Sequence, residues 1–356
     1  MAGGNLNIMR VLFLTLQQTM QYERSFVPGS GPDPFELPKQ LRELGIESEA
    51  VDPGSYLWKP FAKHSPLVES IDPIRGVKVA LTKRRFDLVV SVFQGPAVPV
   101  LLLRRLTFFK TPVVLWDISL TESWAIGNRI LNYVVPRVRA IMVLGANQKR
   151  YIAKRWSAPP PVEIIGHRVD TCFYAPDGTD GINGPILSVG DDAGRDFQAL
   201  LDALADFPAD AVVKSRQPLQ LDAQRHARVQ QVSHWLSHLE LRDYYARSSF
   251  VVVPLTGQTM NASGVSTILE AGAMAKAVIV TDTEGIRDYI VPGETCLTVP
   301  PRDVLALRAA MQRLQHDSEL RTRLGQNARR FVEARCSVPV FAKRFGSLLW
   351  QIRNQD

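Results

Sequence analysis

The chain has 356 residues, of which 46% are hydrophobic and 22% are charged, and this composition excludes a disordered or fibrous protein. Its length favours two domains over one. The three cysteines, Cys172, Cys296 and Cys336, are far apart and show no CxxC or Cys/His spacing, so the sequence predicts neither a zinc site nor a redox pair. The longest apolar runs fall short of the roughly 20 residues that a spanning helix needs, and no leader peptide is evident, so we expect a cytoplasmic protein.

The net charge of +7 is unevenly distributed along the chain. Residues 1–178 contain 22 Lys and Arg against 15 Asp and Glu, whereas the remainder contains 20 of each. Between Arg75 and Arg155 there are 15 basic residues and three acidic ones. Such a segment would attract phosphate groups, nucleic acid or an anionic membrane surface, although a solvated helical face would carry the same charges.

In chain order, the first half alternates short apolar runs with amphipathic segments. The sequence predicts strands at 9–15, 46–52, 86–92, 111–117 and 140–145, and helices at 34–45, 74–84, 97–106, 122–135 and 146–155. This alternation is typical of a doubly wound parallel sheet.

The pattern restarts after a Gly/Asp-rich connector within 162–185. The predicted strands are "ILSVG", "DAVVKS", "FVVVPL", "KAVIVTD" and "TCLTVP", with helices between and after them. We therefore expect an α/β protein of two Rossmann-like, doubly wound parallel-sheet domains, 1–178 and 179–336, facing a cleft. A C-terminal helix in 337–356 would pack back toward the first domain. Ligands of such sheets bind at the carboxyl ends of the strands.

The stretch "NASGVSTILEAGAMAKAVIVTD", residues 261–282, follows a predicted buried strand and opens a helix. A helix N-terminus offers free N–H groups and a positive dipole end to phosphate. Ser263 could cap the helix, Gly264 would let an anion approach the backbone, and the hydroxyls of Ser266 and Thr267 could add hydrogen bonds. Glu270, deeper in the helix, could accept hydrogen bonds from sugar hydroxyls. In the alternative interpretation Ser263 only caps and Glu270 is an ordinary surface acid.

Residues 263–314 resemble the donor-binding region of retaining GT-B glycosyltransferases, in particular the large family 4, with its E-x-F-G-x-x-x-x-E-A-M-A pattern. Three upstream stretches also resemble elements of that family: "VDTCFYAP" at 169–176, "SVGDDAGRD" at 188–196 and "HWLSHLELRDYYARSSFVVVPL" at 234–255. The resemblance thus covers the second half of the chain in order. It implies a GT-B fold and transfer of a sugar from a nucleoside diphosphate.

The resemblance also assigns roles to the helix in this stretch. It implies that Glu270 holds the donor ribose and that the backbone from Gly264 through Val265 to Ser266 covers the diphosphate. The position of the family's first glutamate, eight residues before the second, is occupied by Ala262. Alanine cannot bond the transferred sugar, so the contact would fall to Asn261 or to the backbone around Ser263, or the sugar would be positioned otherwise.

Further donor-side residues follow from the same resemblance. Gly190 matches the glycine that ends the first strand of the donor domain, and Arg195 matches a basic residue on the diphosphate. Lys214 follows the next strand and could face the base or a phosphate, or could equally be a surface lysine.

The first half resembles the family mainly in element order. Gly29 and Gly31, in "VPGSGPDP", stand where the family has a glycine-rich loop near the donor phosphate, although a simple turn would use the same residues. Asp117 occupies the place of a histidine that the family often carries near the acceptor. It is the catalytic candidate.

The predicted function is retaining, metal-independent transfer to a glycan or lipid-linked acceptor, without a cofactor, in cell-surface polysaccharide or glycolipid synthesis. The mixture of cations with Leu, Phe, Tyr and Trp in 75–155 suits a peripheral surface at the inner face of the membrane. Because no nucleic-acid module is present, nucleic acid is not an expected partner. A degenerate GT-B domain that binds nucleotide or a partner glycosyltransferase without catalysis is the alternative, motivated by Ala262.

Overall fold

The computed structural model describes residues 8–15, 26–51, 73–80, 85–104, 110–116, 125–178, 181, 183–257 and 261–355. The chain forms two compact units. The first unit consists of Met1–Phe26, Pro34–Gly166 and Phe341–Asp356, and the second consists of Val27–Asp33 and His167–Val340.

The chain passes from the first unit to the second between residues 166 and 167, ahead of the boundary at Gly178 that the sequence suggests. Residues before Gly178 are already bonded within the second unit. The guanidinium group of Arg329 donates hydrogen bonds to the carbonyl oxygens of Thr171 and Tyr174, at 3.1 and 2.7 Å. These bonds fix the segment after residue 166 to the second unit.

The first unit is built on a six-stranded sheet in the order β2-β1-β3-β4-β5-β6, with all neighbouring strands parallel. Its strands are β1 Met9–Leu14, β2 Ile46–Val51, β3 Leu88–Val92, β4 Val113–Trp116, β5 Ala140–Val143 and β6 Val162–Ile164. Its helices before residue 166 are α1 Glu36–Glu43, α2 Pro73–Ala80, α3 Ala97–Leu103, α4 Ala125–Val134 and α5 Ala146–Arg155. The central strands are apolar and buried along their whole length, as expected for a sheet that helices cover on both faces.

The C-terminal helix Val338–Arg353 supplies part of the core of this first unit. Phe341, Phe345 and Leu349 are fully buried there, and the ring of Phe345 lies 5.0 Å from that of Trp116 at the end of β4. At the exposed end of the helix, the guanidinium of Arg353 pairs with Asp87 at 3.1 Å. The helix therefore completes the sheet layer of the first unit although it is the last element of the chain.

The second unit has its own six-stranded parallel sheet, in the order β12-β11-β10-β7-β8-β9. The strands are β7 Ile186–Val189, β8 Ala211–Lys214, β9 Val229–Val232, β10 Phe250–Val253, β11 Val278–Thr281 and β12 Leu297–Val299. Its helices are α6 Phe197–Leu204, α7 His238–Arg247, α8 Val265–Ala273, α9 Val304–His316 and α10 Ser318–Arg335. The C-terminal helix Val338–Arg353, described above with the first unit, is α11. The predicted α/β class with two doubly wound parallel sheets is confirmed.

The strand order of the second unit places a topological switch point between β7 and β10. These strands are neighbours, but the chain continues from β7 to β8 on one side and from β10 to β11 on the other. The connections therefore diverge at their carboxyl ends, which is where open α/β sheets bind ligands. Within the described ranges, every helix is too short or too polar to cross a lipid bilayer.

Candidate functional site

The N-terminus of α8 lies at the switch point and begins after Gly264. We call this end of the helix the mouth of α8. This glycine is the N-cap residue and has a φ of +82°, a left-handed conformation that side chains disfavour. A methyl group added to it would lie 2.7 Å from Cγ1 of Val253 and 3.3 Å from Cδ2 of Leu255. Glycine is thus required here both for the backbone turn and for the close approach of β10.

Ser263 does not cap α8, in contrast to the role that the sequence suggested. Gly264 takes the N-cap position, and no side chain bonds the free N–H groups there. The Ser263 hydroxyl donates instead to Oδ1 of Asp192, in the loop after β7. Of the other residues of the first turn, Val265 is buried and Ser266 is exposed. The N–H of Val265 donates to the carbonyl oxygen of Ala262 at 3.3 Å, so the N–H groups of the first turn that follow it are the ones offered to an anion.

Arg195 is the buried cation of this site, and its side chain is only 3% exposed. Its Nε donates to Oδ2 of Asp192 at 3.0 Å, and its Nη2 donates to the hydroxyl of Thr267 at 2.8 Å. The third nitrogen, Nη1, is buried and has no hydrogen-bond partner within the described part of the chain. A methyl group on Gly264 would lie 3.6 Å from Nη1, so this unpartnered donor is beside the mouth of α8.

Gly190 and Thr267, which the sequence assigned to the donor site, hold the side chain of Arg195 in place. A methyl group on Gly190 would lie 2.3 Å from the Nε of Arg195, so Gly190 makes room for the guanidinium group. The hydroxyl of Thr267 accepts from Arg195 and donates to the carbonyl oxygen of Val189 at 3.2 Å. This hydroxyl is occupied within the protein, so the expected ligand bond from Thr267 is replaced by a bond that orients the guanidinium.

The two acids that follow Gly190 are functional candidates that the sequence reasoning missed. Asp192 accepts from the N–H of Gly194 at 3.0 Å as well as from Ser263 and Arg195. Burial raises its pKa, but the hydrogen bond from Ser263 and the charge of Arg195 outweigh this effect, so the net pKa of Asp192 is lowered. Asp192 is therefore ionised and lies at the mouth of α8.

Lys214 at the end of β8 is bound by the other acid, Asp191. The two side chains form an ion pair of 2.7 Å, and Arg216 joins it at 3.0 Å. Lys214 is 7% exposed and its ammonium group lies 5.9 Å from the ring centre of Trp235, so it is not a surface lysine. Its role toward a base or a phosphate stays a prediction.

Glu270 lies on α8, behind the mouth, and its carboxyl group faces α7. Oε2 accepts a hydrogen bond of 2.8 Å from the hydroxyl of Tyr245. Burial raises the pKa of Glu270 to about 7, although the bond from Tyr245 and the charge of Arg195 oppose the shift. Burial thus favours the protonated form of Glu270, and a ligand that bonds the carboxylate would favour the ionised form.

The candidates of the first half contribute less to the described site. Gly29 has a φ of +83° and open space around it, which fits the interpretation as a turn. It belongs with Gly31 to the short segment 27–33 of the second unit, where the N–H of Asp33 donates to Asp170 at 2.9 Å. Asp117 lies outside the described residues.

Several cations of the basic segment are held by aromatic and amide side chains of the same unit. The guanidinium of Arg155 donates to Asn128 at 3.0 Å and stacks 4.7 Å from the ring centre of Trp156. Arg137 lies 4.2 Å from the ring centre of Tyr133. Among the described residues, no group of three or more His, Cys, Asp or Glu is arranged to hold a metal ion.

Residues 195–317 match the model of the family described as Glycosyl transferases group 1. This part of the second unit is therefore similar to group 1 glycosyltransferases. The match begins at Arg195 and includes the whole of α8, but the loop residues Gly190, Asp191 and Asp192 precede it. No curated protein matches the sequence.

Solved structures of GT-B glycosyltransferases share the fold of the whole chain. A sucrose-phosphate synthase from Thermosynechococcus elongatus is 17% identical, with a TM-score of 0.73, over 97% of this chain and 99% of that one. A glycosyltransferase from Rickettsia africae is 15% identical, with a TM-score of 0.71, over 98% of this chain and 100% of that one. HepE from Anabaena, crystallised with UDP, is 14% identical, with a TM-score of 0.70, over 96% of this chain and 100% of that one. HepE has also been crystallised with UDP-glucose. The fold is thus GT-B, and with the family match it supports a glycosyltransferase.

Proposed function

We propose that this protein transfers a sugar from a nucleoside diphosphate to a glycan or lipid-linked acceptor, with retention at the anomeric carbon. The observation that carries the proposal is the unpartnered Nη1 of Arg195 beside Gly264. A buried guanidinium donor without a partner costs free energy unless an anion fills its place. The diphosphate of a nucleotide sugar supplies that anion, and HepE, which has the same fold, has been crystallised with UDP and with UDP-glucose.

The second support is the way the site presents its positive charge. Asp192 and Thr267 fix two nitrogens of the guanidinium, so the third is held in one orientation before any ligand binds. The N–H groups that begin α8 add the positive end of the helix dipole at the same place. The planar guanidinium group also presents its donors in a fixed geometry that suits a phosphate group.

In the reaction we propose, the bond between the anomeric carbon and the phosphate oxygen breaks, and the acceptor oxygen bonds to the same face of that carbon. The acceptor proton passes to an oxygen of the departing diphosphate. Arg195 and the N–H groups of α8 stabilise the negative charge that develops on this leaving group. Glu270 would hold the ribose hydroxyls. Asp117 remains the proposed carboxylate on the acceptor side, and neither a metal ion nor a cofactor is part of the proposal.

The acceptor side of the proposal depends on the basic segment 75–155. Cations anchored by aromatic side chains, such as Arg137 on Tyr133, would suit contact with anionic headgroups, with the protein peripheral at the cytoplasmic face of a membrane. A lipid-linked acceptor in cell-surface polysaccharide or glycolipid synthesis would then be presented at that surface.

The test of the donor site compares wild-type protein with Arg195→Gln and with a control, Arg225→Ala, whose side chain is 61% exposed on the surface of the same unit. Isothermal calorimetry with UDP, GDP and ADP, and with their glucose conjugates, measures the affinities. We expect Arg195→Gln to lose on the order of 1.5 to 3 kcal/mol in binding free energy and the control to lose none, because a charged hydrogen bond is removed only in the first. Equal affinities of wild type and Arg195→Gln would refute the assignment.

The absence of a carboxylate at Ala262 favours one competing candidate, a domain that binds nucleotide without catalysis. The two are separated by incubating the purified protein with a panel of nucleotide sugars and measuring release of nucleoside diphosphate. An enzyme hydrolyses at least one donor slowly or transfers its sugar. Binding without any turnover across the panel would support the non-catalytic candidate instead.

A further inference from the structure

The carboxylate of Asp192 is an unexpected group at a site for phosphate. It lies at the mouth of α8, and its side chain is 46% exposed, so it is open to a ligand. It is also ionised, since the charge of Arg195 and the hydrogen bond from Ser263 hold its pKa below the ordinary value. A negative charge here repels a diphosphate and neutralises much of the charge of Arg195.

The hydrogen bonds of Asp192 leave part of the carboxylate unused. A carboxylate has two oxygens with about four acceptor positions in total. Oδ1 accepts from Gly194 and Ser263, whereas Oδ2 accepts from Arg195 alone at 3.0 Å. One acceptor position on Oδ2 therefore remains on a side chain that is half exposed. A sugar hydroxyl can donate to it, whereas a phosphate oxygen cannot.

The neighbouring residues make Asp192 the carboxylate best placed for this contact. Ser263, which it bonds, is adjacent to Ala262, and Ala262 offers only a methyl group. Glu270 lies behind the mouth with Oε2 bound to Tyr245, and Asp191 is bound to Lys214 and Arg216. Asp192 thus lies beside the predicted diphosphate position with accepting capacity to spare.

We propose that Asp192 is a specificity-determining residue that accepts a hydrogen bond from a hydroxyl of the transferred sugar. This inference rests on the proposed function, because it assigns the sugar part of the same donor site. Asp192 then weakens binding of the nucleoside diphosphate alone and strengthens binding of the nucleotide sugar. The site distinguishes the substrate from the product by this difference.

The experiment measures the ratio of affinities for a nucleotide sugar and its parent nucleoside diphosphate. Calorimetry uses the glucose conjugate and the free diphosphate of whichever base, uracil, guanine or adenine, stabilises the wild-type protein most on heating. The variants are Asp192→Asn, which keeps the size of the side chain, and Asp243→Asn on α7. Asp243 is a matched control because it also pairs with an arginine, Arg247, and its side chain is 51% exposed.

We expect Asp192→Asn to bind the free diphosphate at least as tightly as wild type and to lose roughly tenfold in the preference for the sugar conjugate. Asp243→Asn should keep the wild-type ratio. A second variant, Ser263→Ala, keeps all charges but removes the hydrogen bond from Ser263 to Asp192. We expect the preference for the sugar conjugate to fall less than in Asp192→Asn.

Three results would overturn the assignment. An unchanged ratio in Asp192→Asn, with tight diphosphate binding, refutes the role of Asp192 and leaves the proposed function standing. An equal fall in Asp243→Asn shows that charge alone is responsible and also refutes it. If wild-type protein binds none of the diphosphates or their conjugates, the proposed function itself fails, and this inference fails with it.

Discussion

The two units have the same architecture but use charge in opposite ways. The first unit contains 24 Lys and Arg against 13 Asp and Glu, whereas the second contains 18 against 22. The buried cations among the described residues, Arg195, Lys214 and Arg321, nevertheless lie in the second unit. In the first unit, the buried polar residues of the described part are neutral: Ser91, Gln94, Asn147 and Gln148. Net charge therefore does not locate the donor site, whereas buried charge does.

The physical reason is the cost of burying an ion. A charge leaves water only if partners or a ligand replace its hydration. Lys214 has its partner in Asp191, and Arg195 has partners for two of its three nitrogens. Because Nη1 of Arg195 has no partner among the described residues, Arg195 indicates a binding site, whereas Lys214 belongs to a structural ion pair.

The largest effect is expected at Gly264, in a comparison with Gly29. Both have left-handed backbone, with φ of +82° and +83°. Gly264→Ala adds a clash with Val253 at 2.7 Å, whereas Gly29 has nothing within 4 Å. We expect Gly264→Ala to lower the free energy of unfolding by about 2 to 5 kcal/mol and Gly29→Ala by about 1 to 2 kcal/mol. Urea unfolding measures both, and equal losses would contradict the tight contact of α8 with β10.

Glu270→Gln tests the buried carboxyl through pH. The pKa of Glu270 is about 7 in the folded protein, against 4.5 for an ordinary glutamate. Because the folded state holds this proton more tightly, the carboxyl contributes most stability below pH 4.5 and loses it as the pH rises through 7. The total loss is on the order of 3 kcal/mol. Glutamine does not titrate, so the variant should gain thermal stability relative to wild type between pH 5 and pH 8.

The matching measurement is the unfolding temperature of both proteins at pH 5 and pH 8. If the unfolding temperature changes equally in the two proteins between pH 5 and pH 8, the pKa of Glu270 is not raised by burial.

Glu270→Ala tests the ribose contact. We expect the affinity for nucleoside diphosphate to fall by on the order of 1.5 to 3 kcal/mol, the scale of hydrogen bonds to a charged group. Glu294→Ala, at an exposed position of the same unit, serves as the control and should bind normally. Calorimetry measures both, and an unchanged affinity in Glu270→Ala would remove its assigned role.

The smallest effect per residue is expected from the surface charge of the first unit. Each basic residue near an anionic membrane contributes on the order of 1 kcal/mol. Flotation with liposomes should show binding that rises with the fraction of anionic lipid and falls with salt. Binding that depends on neither the fraction of anionic lipid nor the salt concentration would refute the membrane surface proposed for segment 75–155.

The sequence predicted the sheets because apolar runs of four to six residues mark buried parallel strands. It missed β9, Val229–Val232, whose sequence "VQQV" is polar because the strand lies at the edge of its sheet. It placed the mouth of α8 correctly at Gly264, since glycine there is a local requirement.

The bonds around Arg195 could not be predicted in the same way. Arg195 and Thr267 are 72 residues apart, and their hydrogen bond depends on the pairing of β7 with β10. The bond between Asp192 and Ser263 spans 71 residues and depends on the same pairing. Spacing along the chain carries no information on such contacts, so the acid at the mouth of α8 emerges only from the fold.

We propose that the third nitrogen of Arg195 and the N-terminus of α8 bind the donor diphosphate. A crystal structure of the protein with the nucleoside diphosphate that binds most tightly tests it directly. We predict a phosphate oxygen about 3 Å from Nη1 of Arg195 and within reach of the N–H groups that follow Gly264. A diphosphate bound elsewhere, with Nη1 still without a partner, would contradict the claim.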